Sequence, residues 1–60
     1  MNYKKEVLEV LTQIRFTKNR LAGLTAEMDE DGQDTASLDE ALETLDDTID
    51  ILADFVEEEE

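Results

Sequence analysis

The chain has no cysteine, no histidine, no proline and no tryptophan, and no basic residue follows Arg20. Without cysteine there is neither a disulfide framework nor a thiolate metal site. Without histidine as well, the usual nucleophile and general-base arrangements are missing. Ser37 is the only serine, and a helix-capping role accounts for it. Carboxylates are plentiful, but a chain of 60 residues offers no concave, desolvated pocket in which to raise one carboxyl pKa against another. The expectation is a protein with no catalytic residues, no enzymatic activity and no cofactor. Long apolar runs are also missing. Nothing approaches the roughly 18 residues of a spanning helix, and Glu6, Glu9, Thr12 and Gln13 interrupt what a secretory leader would need to be apolar. A cytoplasmic protein without a membrane partner is expected.

What the chain does have is acid, and the acid is segregated. Residues 1–24 carry Lys4, Lys5, Arg15, Lys18 and Arg20 against Glu6 and Glu9, which is 5 − 2 = +3. Residues 25–60 carry sixteen Asp and Glu and no base, and the two parts sum to −13. Soluble helices usually intersperse Lys with Glu, because opposite charges four apart stabilise a helix and like charges cost similar amounts. A stretch that does without Lys accepts self-repulsion. The negative field is then useful in itself, against the basic part of the chain or against a basic partner.

Periodicity supplies the architecture. Tyr3, Val7, Val10, Ile14, Thr17, Leu21, Leu24 and Met28 recur at alternating steps of four and three, and so do Leu38, Leu42, Leu45, Ile49, Leu52 and Val56. Such stripes belong to helices that pack along a seam. Between them, Gly32 in the polar run Asp29–Thr35 suits the left-handed position just past a helix end. Ser37-Leu38-Asp39-Glu40 reads as a capping box opening the next helix. The fold class is therefore all-α, an antiparallel two-helix hairpin in one domain. Its expected parts are helix 1 over about 3–30, an acidic turn over 29–36, helix 2 over about 37–57 and an acidic tail at 57–60.

Pairing residues whose numbers sum to about 66 sets Met28 on Leu38, Leu24 on Leu42, Leu21 on Leu45 and Ile14 on Leu52. This register brings Arg20 near Asp46 or Asp47, Lys18 near Asp47, Arg15 near Asp50 or Asp54, and Lys4 and Lys5 near the tail. Leu8, Leu11, Phe16, Ile51 and Phe55 fall off the seam. Two helices cannot cover that much apolar surface, so these residues are expected to face a second copy in a four-helix bundle or a partner protein.

On helix 2, Asp39, Glu40, Glu43, Asp46, Asp47, Asp50, Asp54 and Glu57 occupy the face away from the seam. Eight charges over 18 steps of ~1.5 Å give one per ~3.4 Å, against roughly 3.4 Å per phosphate along one DNA strand. A solvated face that simply lacks lysine gives a similar spacing. Glu27, Asp29, Asp31, Gly32, Gln33 and Thr35 fall at the first ligand positions of an EF-hand loop, but Leu38 stands where its bidentate Glu is required. No metal site is expected.

The heptads around the acidic turn Asp29-Glu30-Asp31, with an aromatic beside an arginine at Arg15-Phe16, resemble the Rop-type plasmid regulators. That resemblance implies dimerisation into a four-helix bundle and RNA contact through Lys5, Arg15, Phe16 and Lys18. The charge opposes it, since RNA binding depends on neutralising phosphates. The charge profile resembles in type the nucleic-acid mimics encoded by phages and mobile elements, anti-CRISPR proteins among them. That resemblance implies an inhibitor occupying the basic groove of a DNA- or RNA-handling protein, with Asp and Glu standing in for phosphates. Three readings stay open: such a mimic, a structural or assembly module that homodimerises or docks on a partner helix, and a Rop-like RNA binder.

Overall fold

A computed structural model describes residues 3–58, which form two helices, α1 over Lys4–Glu30 and α2 over Ala36–Glu58. The helices pack against one another as a hairpin, and no strand occurs among the described residues. Glu59 and Glu60 of the expected tail lie outside them, as do Met1 and Asn2. The Cα extents are 49 × 15 × 12 Å and the radius of gyration is 14.3 Å, whereas a compact domain of this length measures about 10 Å. The molecule is a rod two helices wide. It is consistent with a Rop-like architecture.

The reversal is built as the glycine predicts. Gly32 has φ 80°, a left-handed conformation that costs a side chain its Cβ clearance. The Gln33 amide donates to the Met28 carbonyl at 2.9 Å and the Gly32 amide to the Asp29 carbonyl at 3.0 Å. These two bonds are a Schellman motif, which satisfies carbonyls that the end of α1 would otherwise leave bare. The start of α2 differs from expectation. Ser37 lies inside the helix, and Asp34 and Thr35 open it instead. Asp34 Oδ1 accepts from the Ala36 amide at 3.0 Å, the Thr35 carbonyl accepts from the Asp39 amide at 2.9 Å, and the Thr35 hydroxyl donates to Asp39 Oδ2 at 3.4 Å. An Asp two residues ahead of a helical amide reaches it directly, so the helix starts one residue earlier.

The α2 stripe turns inward as its period requires. Ile49 and Val56 are buried, and Leu38, Leu42, Leu45 and Leu52 are half-buried. The α1 stripe is corrected by one position in alternate members. Val7, Ile14, Leu21 and Met28 face α2, but the residues between them are Lys4, Leu11, Lys18 and Thr25. Tyr3, Val10, Thr17 and Leu24 are exposed. Leu11, expected on a face open to partners, is therefore core, with 2% of its surface accessible. Thr25 is tolerated in the seam because its hydroxyl donates to the Leu21 carbonyl at 2.8 Å and is not buried without a partner.

This core is small. Among the described residues, Leu11, Ile49 and Val56 are the buried hydrophobic side chains, and no large side chain is more than 98% covered. A hairpin of this size gains little from its own apolar burial.

Candidate functional site: an acidic outer face on α2

Helix α2 carries nine acids and no base, whereas α1 carries five of each and is neutral. All eight acids expected on the outer face, Asp39, Glu40, Glu43, Asp46, Asp47, Asp50, Asp54 and Glu57, are exposed. Their positions follow from the seam. With the Leu38, Leu45 and Val56 side chains aimed at α1, a helical step of about 100° per residue leaves these positions on the far side. Asp39, Glu43, Asp46, Asp50, Asp54 and Glu57 follow one another at steps of three or four, about one per turn, and form a ridge. Glu40 and Asp47 lie beside it.

Asp46 alone of the eight makes an ion pair with a described residue. Lys18 Nζ lies 2.5 Å from its Oδ1. The sequence register had placed Lys18 beside Asp47, so the observed pairing differs by one residue. The pair is partly exposed, with 30% of the Lys18 side chain and 60% of the Asp46 side chain accessible, and such pairs contribute about 0–1 kcal/mol. Arg15 and Arg20 make no ion pair with a described residue. Among the described residues the expected pairing of Arg15 and Arg20 with the acidic helix is thus not seen, and the carboxylates of the outer face are exposed; the expected approach of Lys4 and Lys5 to Glu59 and Glu60 lies outside the described residues.

Each helix has one acid in its first turn, Glu6 in α1 and Asp39 in α2, where it favours the helix dipole, but the other charges at the helix ends oppose it. Lys4 and Lys5 stand at the N-terminus of α1, and neither helix has a base in its last turn. Each reversal costs a few tenths of a kcal/mol. Antiparallel packing sets the basic start of α1 beside the acidic end of α2, where the two reversals offset one another.

The residues set aside for RNA do not form one open patch. Phe16 is 71% exposed on the back of α1, and Lys5 and Arg15 are exposed. Lys18, however, turns into the seam and its ammonium is held by Asp46. Glu27 and Asp29 lie within α1, and no group of three or more acidic side chains among the described residues is arranged to hold a metal ion.

Of the apolar residues expected to meet a partner, Leu8, Phe16, Ile51 and Phe55 are exposed. Tyr3, Val10 and Leu24, which sequence periodicity assigned to the seam, join them at 54, 49 and 47% accessibility. The signal that could have found them is the second stripe through Lys4, Leu11, Lys18 and Thr25, which competes for the same seam. No described helix is long and apolar enough to cross a membrane. No protein-family model, curated protein or solved structure matches the chain.

Proposed function

We propose that this protein is a binding protein whose acidic α2 face occupies the basic, nucleic-acid-binding groove of a DNA- or RNA-handling protein. The observation that carries the reading is the ridge itself: carboxylates at every turn of α2, exposed and, among the described residues, almost wholly without ion pairs. Fixed on a rigid rod, they present a line of negative charge that needs little ordering on binding. Such a line steers encounter with a basic surface and competes with phosphates for it. Ile51, exposed on the same helix, supplies an apolar contact that distinguishes one basic groove from another. The inhibitors encoded by phages, anti-CRISPR proteins included, are the class this mechanism fits.

The test is capture of partners from nuclease-treated bacterial lysate by the tagged protein, followed by elution in a salt gradient. The reading expects a nucleic-acid-handling protein that elutes as salt rises and is displaced by added DNA or RNA. Replacing Glu43→Gln, Asp47→Asn, Asp50→Asn and Asp54→Asn together should abolish capture. A partner held equally well by that variant would overturn the reading.

A further inference from the structure

Helix α1 carries two overlapping apolar stripes and uses only one of them. The stripe left outside, Tyr3, Val10, Thr17 and Leu24, repeats every seven residues and so runs along one flank of the seam. Lys18 and Asp46 occupy the opposite flank, where they line a polar cleft with Arg15 and Asn19. On the open flank, Tyr3, Val7 and Val10 meet Leu52 of α2 in an apolar groove of about 270 Å³, with Glu6 at its edge. Helical periodicity sets Ala41, Thr48 and Phe55 along the α2 wall of this flank. The Thr48 hydroxyl donates to the Thr44 carbonyl at 2.9 Å, so it brings no unsatisfied polar group to that wall. The next positions outward are Glu6, Gln13, Arg20 and Glu27 on α1 and Glu40, Thr44 and Asp47 on α2, all exposed. The flank is thus an apolar trough between rims that carry four acids and one base.

We infer that this trough docks an amphipathic helix of another protein, apolar on one face and edged with lysine or arginine. Its shape is that of a helix-binding groove, a channel between two long helices into which a third lays its apolar face. Tyr3, Val10 and Leu24 are exposed on one wall and Phe55 on the other, and their seven-residue spacing matches anchors repeated by heptads on a partner. From Tyr3 to Leu24 is 21 residues, about 32 Å of helix, which a partner helix of about 20 residues spans. Charge selects the sign of the partner. The rims are acidic and the chain carries a net −13, so basic edges on the incoming helix are attracted and acidic ones repelled. A second copy of this chain would instead set the same acidic rims against one another. Glu40 and Asp47 stand beside the acidic ridge of α2 and not on it, so the inference does not depend on what the ridge binds.

The probe is a synthetic peptide of about three heptads, with leucine at the two seam positions of each, lysine beside them and one tryptophan. The full chain has no tryptophan, so the peptide's emission reports binding alone. The emission should shift to the blue as the chain is added, with one peptide held per chain. Val10→Ser with Phe55→Ser should weaken binding by about tenfold or more, as loss of buried anchors does. On the rims, Glu40→Gln with Asp47→Asn should weaken it by about threefold and flatten its salt dependence. On the ridge, Glu43→Gln with Asp50→Asn and Asp54→Asn should leave it nearly unchanged. A second peptide of the same composition, with its leucines dispersed around the helix, should bind far less. Should the serine variant unfold, the rim and ridge variants decide, and a loss confined to the ridge variant would count against the trough. Absence of binding, equal binding of the dispersed peptide, unchanged affinity in a folded serine variant, or two chains sealing the trough against the peptide would each overturn the inference.

Discussion

The two helices divide the work of the molecule unequally. Helix α2 has one apolar stripe and turns it inward, leaving a face of carboxylates outside. Helix α1 has two apolar stripes that share Val7, Ile14, Leu21 and Met28, and hydrophobicity alone chooses the wrong one. Tyr3, Val10, Thr17 and Leu24 are together more apolar than Lys4, Leu11, Lys18 and Thr25, yet the latter face α2. Three contacts accompany the choice. Rotating α1 toward the flank that carries Asp46 brings the Lys18 ammonium onto it while the lysine stem covers apolar surface. Leu11 then fills the seam, and Thr25 satisfies its hydroxyl within its own helix. The comparison teaches that a helix with one apolar stripe has its orientation fixed by that stripe, whereas a helix with two leaves the surplus one outside.

The largest effect that would break this comparison is a loss at Leu11. Leu11→Ala should cost about 2–5 kcal/mol, as truncations in buried cores do, enough to unfold so small a hairpin in a denaturant titration followed by circular dichroism. Phe16→Ser, on the back of the same helix, should stay within about 0.5 kcal/mol. If the two changes cost the same, the seam is not where the structure sets it.

The two glycines sharpen the comparison at a smaller scale. Gly32→Ala should destabilise by about 1–2 kcal/mol, because its φ of 80° is unfavourable for any residue with a Cβ. Gly23→Ala should stabilise by up to about 1 kcal/mol, since it lies mid-helix and an added Cβ meets no atom within 4 Å. Thermal melts of the two variants should therefore move in opposite directions. The smallest effect belongs to the ion pair. Lys18→Met should change stability by about 0–1 kcal/mol, and the difference should shrink in high salt.

Much of the hairpin was legible in the sequence. The α2 stripe, the reversal at Gly32 and the exposed acids follow from local rules, since a single period and a left-handed glycine admit few alternatives. The helix start did not follow, because Ser37 and the Asp34-Thr35 pair are both competent caps and only the packed chain chooses between them. The orientation of α1 was hidden for a similar reason. Two stripes offset by one residue differ by a rotation that local periodicity does not resolve, and only the packed pair shows it, with Leu11 buried and Lys18 on Asp46.

The acids of α2 remain the feature that folding does not require. Glu43 and Asp47, Asp46 and Asp50, and Asp50 and Asp54 stand four residues apart with like charge, each pair costing roughly 0.2–0.5 kcal/mol. The most direct measurement pairs stability with binding in one variant carrying Glu43→Gln, Asp47→Asn, Asp50→Asn and Asp54→Asn. On the proposed function it should melt higher than the unmodified protein and lose capture of a basic partner, because the ridge costs the fold and would serve that interaction. A variant that melts lower, or that still captures the same partner, would contradict the account.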